Sequence, residues 1–198
     1  MHNGYFSYSV VMKVSHTIYD KLIGLENLFL SWNQFKKGKI KKPDVLVFER
    51  NLEDNIFSLQ KALKDQAYRH GPYAIFHIHD PKHRLISKAS VRDRLAHHLM
   101  FAELYRIFDS AFIYHSYSSR VGKGTHLAVL NLTRALRAVS RNYAQPVFAL
   151  KCDIKKFFQN ISHPKLLQLI QKRIKDKKFL WLIEEVIASF VVTPLGGG

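Results

Sequence analysis

The spacing of apolar residues changes at Gly71-Pro72, from a helical period before it to an alternating one after it. Upstream, Ile18, Leu22, Leu25, Leu28 and Phe29 recur three and four positions apart, which predicts a helix from Ser15 to Phe35. Pro43-Asp44 opens a second helix to about Lys64, with Val47, Phe48, Leu52, Ile56, Leu59 and Leu63 on one face. Proline has no N–H to donate and biases its predecessor away from helix, so the pattern must stop at Gly71-Pro72. Directly after it, Tyr73 to His79 alternates around Ile75 and Ile78 and predicts a strand. Asp80-Pro81-Lys82-His83 predicts a turn, and Arg84 to Ser87 the returning strand of a hairpin with a basic tip.

Beyond the hairpin the helical period returns. Ser90 is a suitable N-cap for a helix through Phe108, with Leu95, Leu99, Ala102 and Ile107 inward. Phe112 to Gly124 reads as a loop and Thr125 to Ser140 as a helix. Val147 to Asp153 predicts a buried strand, and helices follow near His163 to Ile174 and Lys178 to Phe190. Residues up to about Val14 predict little structure, and no internal repeat is visible. The order of elements indicates an α+β protein.

The 198 residues, 47% of them hydrophobic, suffice for one domain or two packed subdomains. Their formal net charge is +16, with an isoelectric point near 10.0. Such an excess attracts polyanions, nucleic acid first and an anionic membrane second. Lys36 to Lys42 and the basic cluster from Lys165 to Lys178 read mainly as solvated surface, with phosphate contact as the functional alternative. Cys152 is the single cysteine, so no intrachain disulfide forms, which fits a reducing, cytoplasmic setting. No signal peptide is visible, and the most apolar stretch, Phe179 to Val192, is too short for a membrane span and is interrupted by Glu184 and Glu185.

The segment Val147 to Asn160, VFALKCDIKKFFQN, carries the most chemistry. An apolar strand that ends on Asp153 would present a hard oxygen ligand, as a divalent cation requires; the plainer alternative is an Asp that caps the next helix. Cys152 should point to the opposite side of that strand, as a packed core thiol. His77 and His79 share a face of the first strand and His97 and His98 are adjacent, but no matching Cys or His set accompanies them, so they read as surface or nucleic-acid-facing histidines rather than zinc ligands.

This segment resembles motif A of reverse transcriptases, in which an aromatic follows a metal-binding Asp by five positions; Asp153 and Phe158 match that spacing. The resemblance implies that Asp153, with the Ile154 carbonyl as a second contact, binds catalytic Mg²⁺, and that Phe158 is a steric gate favouring dNTPs over rNTPs. IHDPKHRLIS (Ile78 to Ser87) resembles the fingers hairpin of the same family, which implies that Lys82 and Arg84 hold the incoming triphosphate. SYSSRVGKGTHLAV (Ser116 to Val129) is the most family-specific string. It implies template-phosphate contacts from Arg120, Lys123 and the backbone at Gly122 and Gly124. GKGT is not a P-loop, because Gly124 stands where that motif needs Ser or Thr. The likeness runs from about Ile18 to Leu195 and is nearest to bacterial reverse transcriptases of diversity-generating retroelements, retrons and group II introns, with FERNLEDNIFSLQKAL (Phe48 to Leu63) leaning to the first type.

The resemblance implies a right-hand polymerase architecture: a poorly defined segment over residues 1–17, fingers over 18–146, and the N-terminal part of a palm over 147–198. It implies an RNA template, a DNA primer and dNTP as partners, and no membrane. The sequence also departs from the family, because these residues contain no Asp-Asp pair. Two-metal phosphoryl transfer shares several carboxylates between its ions. The chain by itself is therefore expected to be inactive, as a fragment, a truncated reading frame, or a piece completed by the rest of palm and thumb or by an accessory protein. The rival expectation is a non-catalytic basic RNA-binding module derived from a reverse transcriptase.

Overall fold

A computed structural model describes residues 18–81 and 83–190. The predicted N-terminal segment, Lys82 and the TPLGGG end lie outside the described residues. Helices and one small antiparallel sheet make up the structure, in keeping with the α+β expectation. The chain divides into two compact units, one built from the residues up to Leu104 and from Ile161 onward, the other from Tyr105–Asn160.

In the first unit, α1 (Tyr19–Leu22) and α2 (Leu25–Phe35) replace the single helix expected to Phe35. The break falls at Gly24, whose φ of −58° and ψ of 140° are extended; glycine is about 1 kcal/mol worse than alanine inside a helix, so the chain bends there. The second expected helix is likewise divided, into α3 (Pro43–Arg50) and α4 (Leu52–Lys64), with Asn51 between them at φ −120°. The Asn55 side-chain amide donates to the Phe48 carbonyl at 2.9 Å and satisfies an acceptor released by that break.

The core of this unit gathers Trp32, Tyr19, Tyr68, Phe179, Leu59 and Leu95, all fully buried. The Trp32 ring lies 4.9 Å from Phe48 and 5.7 Å from Phe35, centroid to centroid. Tyr19 donates its hydroxyl to the Leu63 carbonyl at 2.7 Å. Beyond Pro72, β1 (Ala74–His79) pairs antiparallel with β2 (His83–Lys88), in the register His79 to His83, Ile78 to Arg84 and His77 to Leu85. The hairpin is confirmed, with β2 starting at His83, inside the segment expected as turn.

Helix α5 (Val91–Phe108) begins as the sequence suggests. Ser90 Oγ accepts from the Asp93 amide at 3.1 Å and donates to Asp93 Oδ2 at 2.6 Å, a reciprocal N-terminal cap. Asp93 is itself buried and accepts from the Tyr68 hydroxyl at 2.8 Å and the Gly71 amide at 3.2 Å. Burial alone would raise its pKa, but Ser90, Tyr68, His70 and the Gly71 amide together hold it below the usual carboxylate range. Asp93 thus ties the start of α5 to the segment where the periodicity changes.

The C-terminal part of the unit comprises α7 (His163–Gln171) and α8 (Lys177–Ser189). Asp176 caps α8 by accepting from the amides of Lys178 and Phe179, both at 3.1 Å. Its other oxygen accepts from the amides of Ile18 and Tyr19 at 2.7 and 2.8 Å, which pins α1 to α8.

The second unit holds the end of α5, a 3₁₀ turn at Asp109–Ala111, α6 (Thr125–Val139) and a second 3₁₀ turn at Phe157–Asn160. Among its described side chains only Ser140 is buried. The expected strand Val147 to Asp153 is not formed. A strand exists only as part of a ladder, and the one ladder among the described residues is β1 with β2. Without a covering layer, Phe148 is 97% and Leu150 90% exposed. Cys152, expected in the core, is exposed for the same reason. No described helix is long and apolar enough to cross a membrane.

Candidate nucleic-acid interface

The loop joining α5 to α6 is organised around Arg120. Its guanidinium donates to Asp109 Oδ1 at 2.7 Å, to the Asp109 carbonyl at 2.9 Å, to the Ser116 carbonyl at 3.2 Å and to the Ile113 carbonyl at 3.3 Å. It also lies over the Phe112 ring, 5.6 Å from the centroid. The hydrogen bond from Arg120 holds the Asp109 carboxyl below the usual carboxylate range. A planar fork with five donors suits such a role. Arg120 therefore shapes the loop, and a phosphate would compete with Asp109 for it.

Lys123 donates to the Tyr114 carbonyl and stands 4.4 Å from the Tyr114 ring centroid and 5.5 Å from that of Tyr117. Tyr117 is held in turn by His115 Nδ1 and by the Asn131 amide, each at 2.8 Å. The ammonium is thus presented on an aromatic ledge, where cation–π attraction keeps it near the turn.

Gly122 and Gly124 both adopt left-handed backbone, with φ of +70° and +107°. That region costs any residue with a Cβ, which accounts for glycine at both positions. Nothing lies within 4 Å of where either Cβ would stand, so the space over the turn is open. Gly124 leads straight into α6, whose N-terminus has no side-chain cap. The first-turn amides of a 15-residue helix are therefore available, and such amides favour negatively charged oxygens. Sequence reasoning found the two glycines, Lys123 and a helix from Thr125, as observed, but did not count the uncapped first-turn amides as part of the site; a helix led by Gly rather than Ser, Thr, Asp or Asn was the available signal.

Asp153 and Ile154 lie in the unpaired segment before the second 3₁₀ turn, both exposed. Phe158, in that turn, is 76% exposed and meets Phe157 edge-on at 5.3 Å. The positive φ of Lys156, +50°, and the Asn160 side-chain amide donating to the Lys155 carbonyl at 2.9 Å shape the link between Asp153 and Phe158. A magnesium centre needs several oxygen ligands around one point. Among the described residues no three His, Cys, Asp or Glu side chains gather in that way. These residues do not by themselves fit a two-ion magnesium centre.

Arg84 belongs to the first unit, on the exposed part of β2, opposite Ile78. Asp153, Phe158 and the Arg120–Gly124 turn belong to the second. A separate groove of about 640 Å³ in the first unit, between Asp44, Phe48, Asn55, Pro72, Lys88 and Arg92, contains none of the candidate metal-, nucleotide- or nucleic-acid-binding residues. Its rim is fixed by Asp44, which pairs with Lys88 at 2.7 Å and with Arg94.

No protein-family model matches the chain. A 91 kDa uncharacterized protein in the cob intron of Schizosaccharomyces pombe is 29% identical over 110 residues, 56% of this chain and 13% of that protein. Nuclear intron maturase 2, mitochondrial, of Arabidopsis thaliana is 22% identical over 161 residues, 73% of this chain and 21% of the maturase. The putative COX1/OXI3 intron 2 protein of Saccharomyces cerevisiae is 25% identical over 172 residues, 82% of this chain and 19% of that protein. The chain thus spans about a fifth or less of the length of these relatives. The matches come from fungi and a plant and do not carry the bacterial leaning of the sequence resemblance. The chain is similar, at low identity, to proteins of introns, intron maturases among them.

Proposed function

We propose that this chain is a reverse-transcriptase-derived module that binds intron RNA through its backbone phosphates, and that the Gly122–Gly124 turn with the start of α6 is one of its contact points. The observation that carries the proposal is the conjunction at that turn. Two left-handed glycines leave open space, Lys123 is presented beside them, and an uncapped helix start follows directly. Each part is suited to a phosphate oxygen, and none reads a base, which suits an electrostatic contact of low sequence selectivity. The +16 charge supplies the long-range attraction. Similarity to intron proteins supports intron RNA as the polyanion.

Asp153 and Phe158 support the nucleotide-adding reading for a longer protein. Both are exposed, so neither is sealed in an apolar core. In that reading Asp153 and the Ile154 carbonyl would contribute ligands to a Mg²⁺ completed by carboxylates from elsewhere and Phe158 would meet the sugar, while Lys82 and Arg84 are the hairpin residues that the family resemblance assigns to the triphosphate. The ion would supply charge neutralisation at the transferred phosphoryl group.

Filter binding of an intron RNA to the wild type and to Lys123→Glu tests the phosphate-contact proposal. The variant should bind more weakly, and its salt dependence should be shallower by about 1 in log–log slope. Unchanged affinity and slope in a variant with unchanged circular dichroism would remove the turn from the interface.

A further inference from the structure

Three histidines share one face of the β1–β2 hairpin. His77 and His79 are two apart on β1 and so project to the same side. The register sets His83 directly across from His79. The His83 ring centroid is 4.6 Å from that of His77 and 4.6 Å from that of His79. All three residues are exposed. Arg84 belongs to the opposite face, with Ile78, so its charge is not set among the three rings.

From this juxtaposition we propose that His77, His79 and His83 form a tridentate imidazole site for a transition-metal dication of the Zn²⁺, Ni²⁺ or Cu²⁺ class. Neutral imidazole suits these borderline ions, whereas Mg²⁺ takes oxygen ligands, so this is a different site from any at Asp153. A His-x-His pair on one strand with a third His across the ladder can supply three nitrogens to one ion and leave its fourth position to water, the composition of open zinc sites. In the described rotamers the His77 and His83 rings stack, with planes 23° apart, and the three do not converge. Two imidazoles on one tetrahedral ion have ring centroids roughly 5 Å apart, given metal–nitrogen distances of about 2.0–2.1 Å. The 4.6 Å from His83 to each of the other two rings is close to that, and His77 and His79 must turn toward each other. Rotation about side-chain bonds, open to exposed rings, turns the nitrogens inward with no change in strand register. The site escapes the sequence because His83 reads as a turn residue there; only the register gives it to the ladder.

The test is Zn²⁺ titration of the metal-free 198-residue chain against a chromogenic chelator, repeated with Co²⁺ for its visible absorption. The wild type should take up Zn²⁺, and His77→Ala, His79→Ala and His83→Ala should each weaken that uptake at least about tenfold. His126→Ala, on α6, should leave it unchanged. Circular dichroism should be the same throughout, because these side chains are outside the core. Absence of Zn²⁺ binding by the wild type, or equal affinity in the wild type and His83→Ala, overturns the site and leaves the three rings as a stack alone.

Discussion

The Tyr19 amide donates to the Asp176 carboxylate at 2.8 Å across 157 positions of sequence. With the Ile18 amide on the same oxygen and the Lys178 and Phe179 amides on the other, one buried side chain holds the starts of two helices. Burial alone would push the Asp176 carboxyl up, but the four amides together bring it below the usual carboxylate range.

Asp176→Ala should therefore lower unfolding free energy by about 2–4 kcal/mol, because it removes a helix cap and orphans two further amides. Asp176→Asn retains an acceptor and should lose less. Urea titration followed by circular dichroism measures both. A loss no larger than that of an ordinary exposed cap would show that the link to α1 contributes nothing.

Acid should expose the same carboxylates. Asp176 and Asp93 have depressed folded-state pKa values. Their contribution is therefore complete above the unfolded value of about 3.9 and is lost as pH falls through the folded values. Stability should be level from neutral pH down to roughly pH 5 as far as these groups are concerned, and fall below about pH 4. Asp176→Asn should flatten that fall. Denaturant midpoints across an acid pH series give the answer, and an equally steep fall in the variant would assign acid sensitivity elsewhere.

Tyr68→Phe removes the hydroxyl that donates to buried Asp93 and should cost about 1.5–3 kcal/mol, as for hydrogen bonds to charged groups. Gly71→Ala should also destabilise, because a Cβ there would stand 3.0 Å from Asp93 Oδ2. Thermal unfolding checks both, and a neutral Gly71→Ala would mean that Asp93 yields at no cost.

Primer extension by these 198 residues with RNA template, dNTP and Mg²⁺ should not rise above a no-protein control. The sequence has no Asp-Asp pair, and no three metal-binding side chains converge among the described residues. Extension that disappears in Asp153→Asn would show that the chain completes the centre by other means.

The sequence disclosed the elements that rest on local chemistry. The Gly71-Pro72 break, the hairpin and the Ser90 cap each follow from neighbours in the chain, and the structure has them. Asp176 was missed as a cap although an acidic residue before an apolar run is a legible signal, and its hold on Ile18 and Tyr19 depends on contacts no local pattern encodes. Val147 to Asp153 failed as a strand because apolar, β-prone composition states a preference, whereas a ladder needs a partner. Asp153, Phe158, Lys123 and the two glycines were legible as candidates. The internal engagement of Arg120 was not, because Asp109 becomes its partner only through the intervening turn.

The salt dependence of RNA binding tests the central claim most directly. Affinity of the chain for an intron RNA, measured by filter binding over a range of monovalent salt, should fall linearly in log–log form, with a slope that counts several neutralised phosphates. Affinity that is absent at low salt, or that does not change with salt, contradicts a protein built to hold RNA by its backbone.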